Sequence, residues 1–135
     1  MWDKNSQVWC VFDVEAEGRV ANLTNLVNKA KRQNIQLAIS NPCFELWFYL
    51  HYQYCDIAIP DGKAMKQHLK KWWPDYEKSA GEFLPLEGRY ETARRNAMRL
   101  RRESHTKLPS DPVPRPYTDV DKLVMNIETM LADLR

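Results

Sequence analysis

Two acidic side chains follow directly on the first apolar run of the chain, and their spacing suits metal chemistry. The run VWCVF is followed by Asp13, Val14 and Glu15. Residues two positions apart in a strand point to the same side, so Asp13 and Glu15 would share one face. Ligands of open α/β sheets bind at the carboxyl ends of strands, and paired carboxylates there suit Mg²⁺ or Mn²⁺. The alternative is that both acids only close the strand in a solvated turn.

A third acid, Glu45, interrupts the apolar and aromatic segment SNPCFELWFYLHYQ, which spans residues 40–53. A buried carboxylate is costly unless it is paired, hydrogen-bonded or bound to metal. Asn41 and Pro42 predict a helix start, with Asn41 as its cap, so Glu45 would lie in the first helical turn. If the preceding strand runs parallel to the first, Glu45 reaches the same rim as the first two acids. The alternative is a carboxylate that faces only the positive end of its own helix.

Three further side chains, one in this segment and two later in the chain, could contribute to a site. His51 lies six residues after Glu45, which places the two on different helical faces, and a histidine hydrogen-bonded to a neighbour is the simplest interpretation. Trp72 and Trp73 could stack on nucleobases. The alternative is that one of these tryptophans fills the core and the other covers a helix end.

An arginine cluster in residues 88–104 is the strongest basic patch of the sequence. Arg95, Arg99 and Arg102 recur at helical spacing, opposite a narrow apolar stripe. Several phosphate contacts from Lys and Arg are the usual footprint of nucleic-acid binding. The commoner explanation of such a run is a solvated helix face.

The first elements of the chain predict an α/β scaffold for these residues. Residues 8–15 are apolar and rich in β-branched and aromatic side chains, which indicates a buried parallel strand. An amphipathic helix over 19–33 and a short apolar strand over 35–39 complete a right-handed βαβ unit. The acids therefore fall where parallel strands end.

Helices dominate the rest of the predicted fold. Apolar side chains at helical spacing indicate three of them, over residues 42–52, 61–73 and 88–104. Thr118 with Asp121 resembles a capping box that opens a last helix. The stripe of that helix predicted to be buried consists of Val120, Leu123, Val124, Ile127, Leu131 and Leu134.

The count of about two strands against about five helices leaves the sheet short, because sheets usually carry more strands. We therefore expect a further element beside these strands. It would be an unrecognised strand, a second copy of the chain in a homo-oligomer, or a partner protein that supplies the missing sheet edge.

Length and composition place the chain in a broad class. Its 135 residues predict one domain over 1–135, and the formal net charge of +2 gives only a weak hint of polyanion binding. The 3 cysteines are widely spaced, which argues against a disulfide framework and a zinc site. No leader segment and no long apolar run stands out, so we expect a soluble, cytoplasmic protein without a membrane span.

Several motifs together resemble the RloB-like family. They are VFDVEAE, the segment ISNPCFELWFYLHY, and PYTDVDKLV before the last helix, and the resemblance covers nearly the whole chain. It implies a Toprim-like open parallel sheet with flanking helices and metal-dependent phosphodiester chemistry on DNA or RNA. Family members are associated with bacterial anti-phage and restriction-linked loci. The family motif D-x-D is here Asp13-Val14-Glu15, and the longer arm of Glu15 changes the expected metal geometry.

The resemblance also gives roles to the candidate residues. Asp13 and Glu15 would bind Mg²⁺ or Mn²⁺, Glu45 would complete or orient the site, and His51 would position phosphate. An earlier strand ending in Glu, normal in Toprim-like proteins, has no match before Val8, so the chain resembles a member without its first portion. The alternative to a nuclease is a catalytically inactive module that binds nucleic acid or assembles with a partner.

Overall fold

A computed structural model describes residues 6–14, 22–78, 82–108, 110–111 and 113–134. Within these ranges, three strands and five α-helices follow one another along the chain. They are β1 (Val8–Asp13), α1 (Leu23–Arg32), β2 (Ile35–Asn41), α2 (Glu45–Leu50), α3 (Gly62–Leu69), α4 (Tyr90–Lys107), β3 (Tyr117–Thr118) and α5 (Val120–Asp133). Two single-turn 3-10 helices, Tyr76–Lys78 and Leu84–Leu86, lie between α3 and α4. The predicted α/β class is confirmed, with about the expected number of helices.

The sheet has the strand order β1-β2-β3. β1 and β2 run parallel, in a register that pairs Val8 with Ile35 and Asp13 with Ser40, as the βαβ unit predicted. The short strand β3 adds to the other side of β2 in the antiparallel direction, so the sheet is mixed rather than wholly parallel. We did not predict β3, because two residues are too short to show any periodicity.

The predicted capping box at residues 118–121 is only partly right, since the Thr118 hydroxyl accepts from the amide of Val120 at 3.3 Å but the rest of the box does not form. Thr118 belongs to β3, and its hydroxyl lies 2.8 Å from the hydroxyl of Ser40. Helix α5 begins one residue later than a Thr118 cap would require, after Asp119, whose side chain makes no cap hydrogen bond. Asp121 instead accepts hydrogen bonds from Arg101. The polar side chains of this segment thus tie the sheet to α4.

The start of α2 also differs from its prediction. Asn41 ends β2 instead of capping a helix, because its side chain is used elsewhere. Its amide nitrogen donates to the carbonyl of Val113 at 2.9 Å, and its oxygen accepts from Arg115. Helix α2 therefore begins at Glu45 rather than Pro42, and Glu45 lies in its first turn as predicted.

Two hydrophobic clusters cover the two faces of the sheet, because neighbouring residues of a strand point to opposite sides. Ala38 of β2 belongs to the larger cluster, which is built mainly from α2, α3 and α4. Ile39 belongs to the smaller one, with Leu23 of α1. Helix α2 is central, since its Leu46 and Leu50 are fully buried, and each contributes about 1.5–3 kcal/mol through burial.

The predicted burial of the α5 stripe is only partly right. Val120 is 2% exposed, but Ile127, Leu131 and Leu134 are 47%, 52% and 82% exposed. The apolar spacing is present, yet the described elements do not cover the second half of the helix. Its stripe is open in the described part of the chain. None of the helices described here is long and apolar enough to cross a membrane.

Candidate functional site

The carboxyl ends of β1 and β2 form the rim on which the acids were expected to meet. Asp13 is the last residue of β1 and pairs with Ser40, and the amide of Val14 donates to the carbonyl of Ser40 at 2.9 Å. Glu45 follows the end of β2 by four residues and opens α2. Parallel pairing therefore brings Asp13 and Glu45 to one edge of the sheet, and both side chains are half-buried there.

Cys43 connects these two acids electrostatically. Its side chain is 1% exposed, and burial raises the pKa of the thiol well above its usual range. The Glu45 carboxylate, through its charge and a hydrogen bond, and the charge of Asp13 raise that pKa further. The thiol is therefore protonated at neutral pH and is a poor metal ligand, since metals bind the thiolate. Both carboxylates lie close enough to act on one buried atom.

Glu45 is held by Tyr76, which answers why an acid lies among aromatic residues. The Tyr76 hydroxyl donates to Glu45 Oε2 at 2.5 Å. Burial, followed by the hydrogen bond and the charge of Glu45, raises the pKa of Tyr76 and keeps its phenol protonated. The Tyr76 ring packs edge-on against Phe48 and Trp73, with centroids 5.8 Å and 5.0 Å away. The carboxylate thus has a fixed donor and an orientation set by packed rings.

Two of these site residues were missed by sequence reasoning. Cys43 lies two residues before Glu45 in the same motif, so its position could have indicated a site residue. Its apolar surroundings instead suggested an ordinary core cysteine. Tyr76 is 31 residues from Glu45 in the chain, in a segment that looked irregular. Nothing in the sequence pairs the two.

The acids suit a hard divalent cation rather than zinc. Asp13 and Glu45 offer carboxylate oxygens, and Mg²⁺ binds through one or two carboxylates together with waters and phosphate oxygens. Glu15, the second predicted ligand, lies outside the described residues. Among the residues that are described, no group of three or more His, Cys, Asp and Glu is placed to hold a metal. The oxygen donors at the rim are therefore of the type that Mg²⁺ prefers, but the described residues alone do not form a complete ligand set.

His51 lies at the opposite end of α2 from Glu45, about 9 Å along a helix of this length. It is 6% exposed, its Nδ1 is 2.8 Å from the carbonyl oxygen of Trp47, and its ring meets the Trp47 ring edge-on. Burial lowers the pKa of His51, so the ring is neutral at physiological pH. A neutral ring with Nδ1–H on the carbonyl keeps Nε2 as an acceptor.

The three predicted nucleic-acid contacts share one side of α4, which we call the arginine face (Arg95, Arg99 and Arg102). All three side chains are exposed, opposite the buried Ala93, Ala97 and Leu100. Arg99 Nε donates to Glu103 at 3.0 Å. The arginine face therefore points away from the core, while the acids lie at the sheet rim.

Arg101, a near neighbour in sequence, differs from the arginine face. Its guanidinium donates to both carboxylate oxygens of Asp121 and to the carbonyl of Thr118. The two side chains of the ion pair are only 13% and 4% exposed. Arg101 therefore belongs to the interior that joins α4, β3 and α5.

Comparison with known proteins agrees with the motifs in this fold. No curated protein and no solved structure matches the chain. The family model described as RloB-like protein matches residues 1–127, which confirms the family predicted from the motifs. With nearly its whole length matched, the chain belongs to the RloB-like family.

Proposed function

We propose that the chain is a metal-dependent, nuclease-type domain that cleaves phosphodiester bonds in nucleic acid. The observation that carries the proposal is the position of Asp13 and Glu45 at the carboxyl edge of a parallel strand pair, one at the end of β1 and the other just after β2. Open α/β sheets bind their ligands at this edge. The family resemblance supports a role in a cytoplasmic, bacterial anti-phage or restriction-linked protein.

The acids have distinct roles in this proposal. Asp13 and Glu15 would hold Mg²⁺ or Mn²⁺, and Glu45, fixed by Tyr76, would complete or orient the site. A divalent ion there supplies neutralisation of phosphate charge and a lowered pKa for a bound water. His51 positions phosphate only when Nε2 carries a proton, because phosphate oxygens accept hydrogen bonds and the neutral ring offers Nε2 as an acceptor. Burial of the ring opposes that protonation. The arginine face holds the nucleic-acid backbone through phosphate contacts.

Calorimetric titration with Mg²⁺ and with Mn²⁺ tests the metal site directly. We expect binding at millimolar metal, loss of binding in Asp13→Asn, and a weakening of about 10- to 100-fold in Glu45→Gln. Glu87→Gln removes one exposed carboxylate far from the rim in sequence and serves as the matched control. The proposal fails if no divalent binding appears at millimolar metal and Asp13→Ala changes nothing.

Cleavage is measured separately, with end-labelled DNA and RNA strands incubated with and without divalent metal. We expect products only with metal, and none from Asp13→Asn. Because Glu87→Gln keeps the rim intact, it should cleave at the wild-type rate.

A second candidate function, a catalytically inactive assembly module, is favoured by two exposed surfaces. In the described part of the chain, β1 pairs with β2 alone, which leaves its outer edge open, and Val11 of β1 is 48% exposed. The second half of the α5 stripe is also exposed. Open strand edges and apolar patches are typical of protein interfaces. A homo-oligomer or a partner that extends the sheet would cover both.

Sedimentation velocity tests this alternative. If the chain self-associates through α5, Leu131→Asp should shift the protein to monomer, because it places a charge on the apolar stripe. Thr129→Asp adds the same charge on another side of the same helix and is the matched control. A wild-type chain that remains monomeric at high concentration would refute self-association.

A further inference from the structure

Two stacked aromatic rings lie beyond the C-terminal end of α2, away from the acidic rim. Tyr52 and Trp72 have ring centroids 5.9 Å apart and planes inclined by only 14°. Trp72 remains 46% exposed, although its neighbour Trp73 is 3% exposed and belongs to the core. The prediction that one tryptophan fills the core thus holds for Trp73. A flat ring held by a second ring and open to solvent is the arrangement on which a nucleobase stacks.

Arginines lie over the tyrosines of the same segment. The Arg89 guanidinium carbon is 4.9 Å from the centroid of the Tyr52 ring. Arg99, from the arginine face, lies 3.9 Å from the centroid of the Tyr54 ring. Cation–π contact attracts each guanidinium to its ring and still leaves N–H groups on the guanidinium edge for phosphate oxygens. The two cation–π pairs therefore involve neighbouring tyrosines of the segment that follows α2.

This surface is already held in place before any ligand binds. The Tyr52 hydroxyl donates to the carbonyl of Pro85 at 2.9 Å, and the Tyr54 hydroxyl donates to Glu103. The Asn96 side chain donates to the carbonyl of Leu50 at 2.8 Å, which fastens the end of α2 to α4. Fixed side chains lose little conformational entropy on binding, so the contacts they make contribute more to affinity.

We infer that the stacking platform, formed by Tyr52, Tyr54 and Trp72, binds single-stranded nucleic acid. One base stacks on the open face of Trp72, and Arg89 and the arginine face hold the phosphates. The polyanion is favoured by the positive charge of Arg89 over Tyr52, whereas the charge of Arg99 over Tyr54 is partly offset by Glu103 at 3.0 Å. A single strand is favoured because the faces of paired bases in a duplex are covered by neighbouring pairs. The inference rests on the proposed function, since the strand bound here is the substrate.

The position of the platform suits that role. Glu45 opens α2 and Tyr52 follows its end, so the acidic rim and the platform are about 10 Å apart along the helix. A strand that crosses α2 can therefore be held at the platform and cut at the rim. Neither stacking nor phosphate contact needs the 2′-hydroxyl, so DNA and RNA strands both bind.

Fluorescence anisotropy in EDTA tests the platform without the metal site. The probes are a labelled oligothymidylate, an oligouridylate of the same length, and the oligothymidylate annealed to its complement. We expect both single strands to bind more tightly than the duplex. Trp72→Ala should weaken single-strand binding by about 5- to 150-fold, the range measured for loss of one stacked base. Trp72→Phe keeps a flat ring and should remain within about threefold of wild type.

A second pair of variants separates charge from stacking. Arg99→Ala should weaken binding of the single strands, whereas Arg32→Ala removes an exposed arginine at the end of α1 and should not. The inference is overturned if the duplex binds as tightly as the single strand, or if Trp72→Ala binds like wild type while retaining its circular dichroism spectrum. Platform-dependent binding in a chain that binds no divalent metal would refute the nuclease proposal alone. Metal-dependent cleavage with unchanged affinity in Trp72→Ala would refute the platform alone.

Discussion

The buried ion pair between Arg101 and Asp121 offers the sharpest test of how this fold is held together. Arg101 donates to Asp121 Oδ1 and Oδ2 at 2.5 Å and 2.8 Å, and also to the Thr118 carbonyl at 2.9 Å. The two side chains are 13% and 4% exposed, so water cannot replace a missing partner. Arg101→Met keeps much of the side-chain volume and removes the charge. It leaves the Asp121 carboxylate buried without its cation.

The expected cost follows from that burial. Breaking a buried pair by removing one partner costs about 3–5 kcal/mol, because the remaining charge is desolvated and unpaired. In a domain of this size, each kcal/mol lowers Tm by roughly 3–5 °C, so Arg101→Met should lower Tm by roughly 10–25 °C. The double variant Arg101→Met/Asp121→Leu removes both charges and should recover most of the loss.

Urea denaturation followed by circular dichroism measures these free energies of unfolding. The matched control is Arg94→Met, which breaks a second arginine–carboxylate pair on the same helix, with Glu91. The side chains of that pair are 27% and 63% exposed, and exposed pairs contribute only about 0.2–1 kcal/mol. If Arg101→Met costs no more than Arg94→Met, or if the double variant is less stable than Arg101→Met, the reasoning from burial is wrong.

Three further predictions concern pH, thiols and salt. Asp119 is 8% exposed, and desolvation raises the pKa of its carboxyl above the ordinary value. The folded state therefore binds that proton more tightly, and stability falls as pH rises through the folded pKa. Asp119→Asn should gain stability relative to wild type as pH rises through that folded pKa in urea titrations, and a pH-independent difference would contradict this. In an Ellman assay at neutral pH, the exposed Cys10 should react within minutes. Cys43 and Cys55 are buried and the pKa values of their thiols are raised, so both should react only after denaturation. Fast reaction of two thiols in the native protein would be inconsistent with the fold. Alanine at all three positions of the arginine face should reduce the slope of log affinity against log salt by about 2 for a single strand, and an unchanged slope would place the phosphates elsewhere.

Prediction from the sequence succeeded where the local pattern of a single helix or strand determines its structure. The strand–helix–strand order and the helical spacing of α4 are visible in the sequence, so the βαβ unit and the arginine face could be predicted. The predicted burial of β1 is wrong, since none of its residues is buried among the described elements. The position of Glu45 in the first turn of α2 was also predictable, because the sequence before it breaks the strand. The position of Asp13 and Glu45 at the same edge of the sheet followed from parallel pairing alone.

Contacts between distant segments could not be predicted in this way. Tyr76 has no sequence relation to Glu45, and β3 is recognisable only beside the end of β2. Arg101 and Arg102 are adjacent arginines on one helix, yet one lies in the interior and the other is exposed. The periodicity of the sequence shows which side chains share one face of a helix, but the neighbouring elements determine which of these side chains are buried. The stripe of α5 is the clearest case, since its spacing is regular and its second half is open.

The pairing of β2 with β3 and Asp119, which come much later in the sequence, has a consequence for folding during biosynthesis. The amide of Ile39 donates to the carboxylate of Asp119, and these two residues are separated by 80 positions. The Ser40 and Thr118 hydroxyls meet across 78 positions. While the polypeptide is being translated, one side of β2 therefore remains unpaired until β3 and Asp119 leave the ribosome. Such late contacts slow folding and expose the nascent sheet, so truncation before β3 should yield an aggregation-prone product.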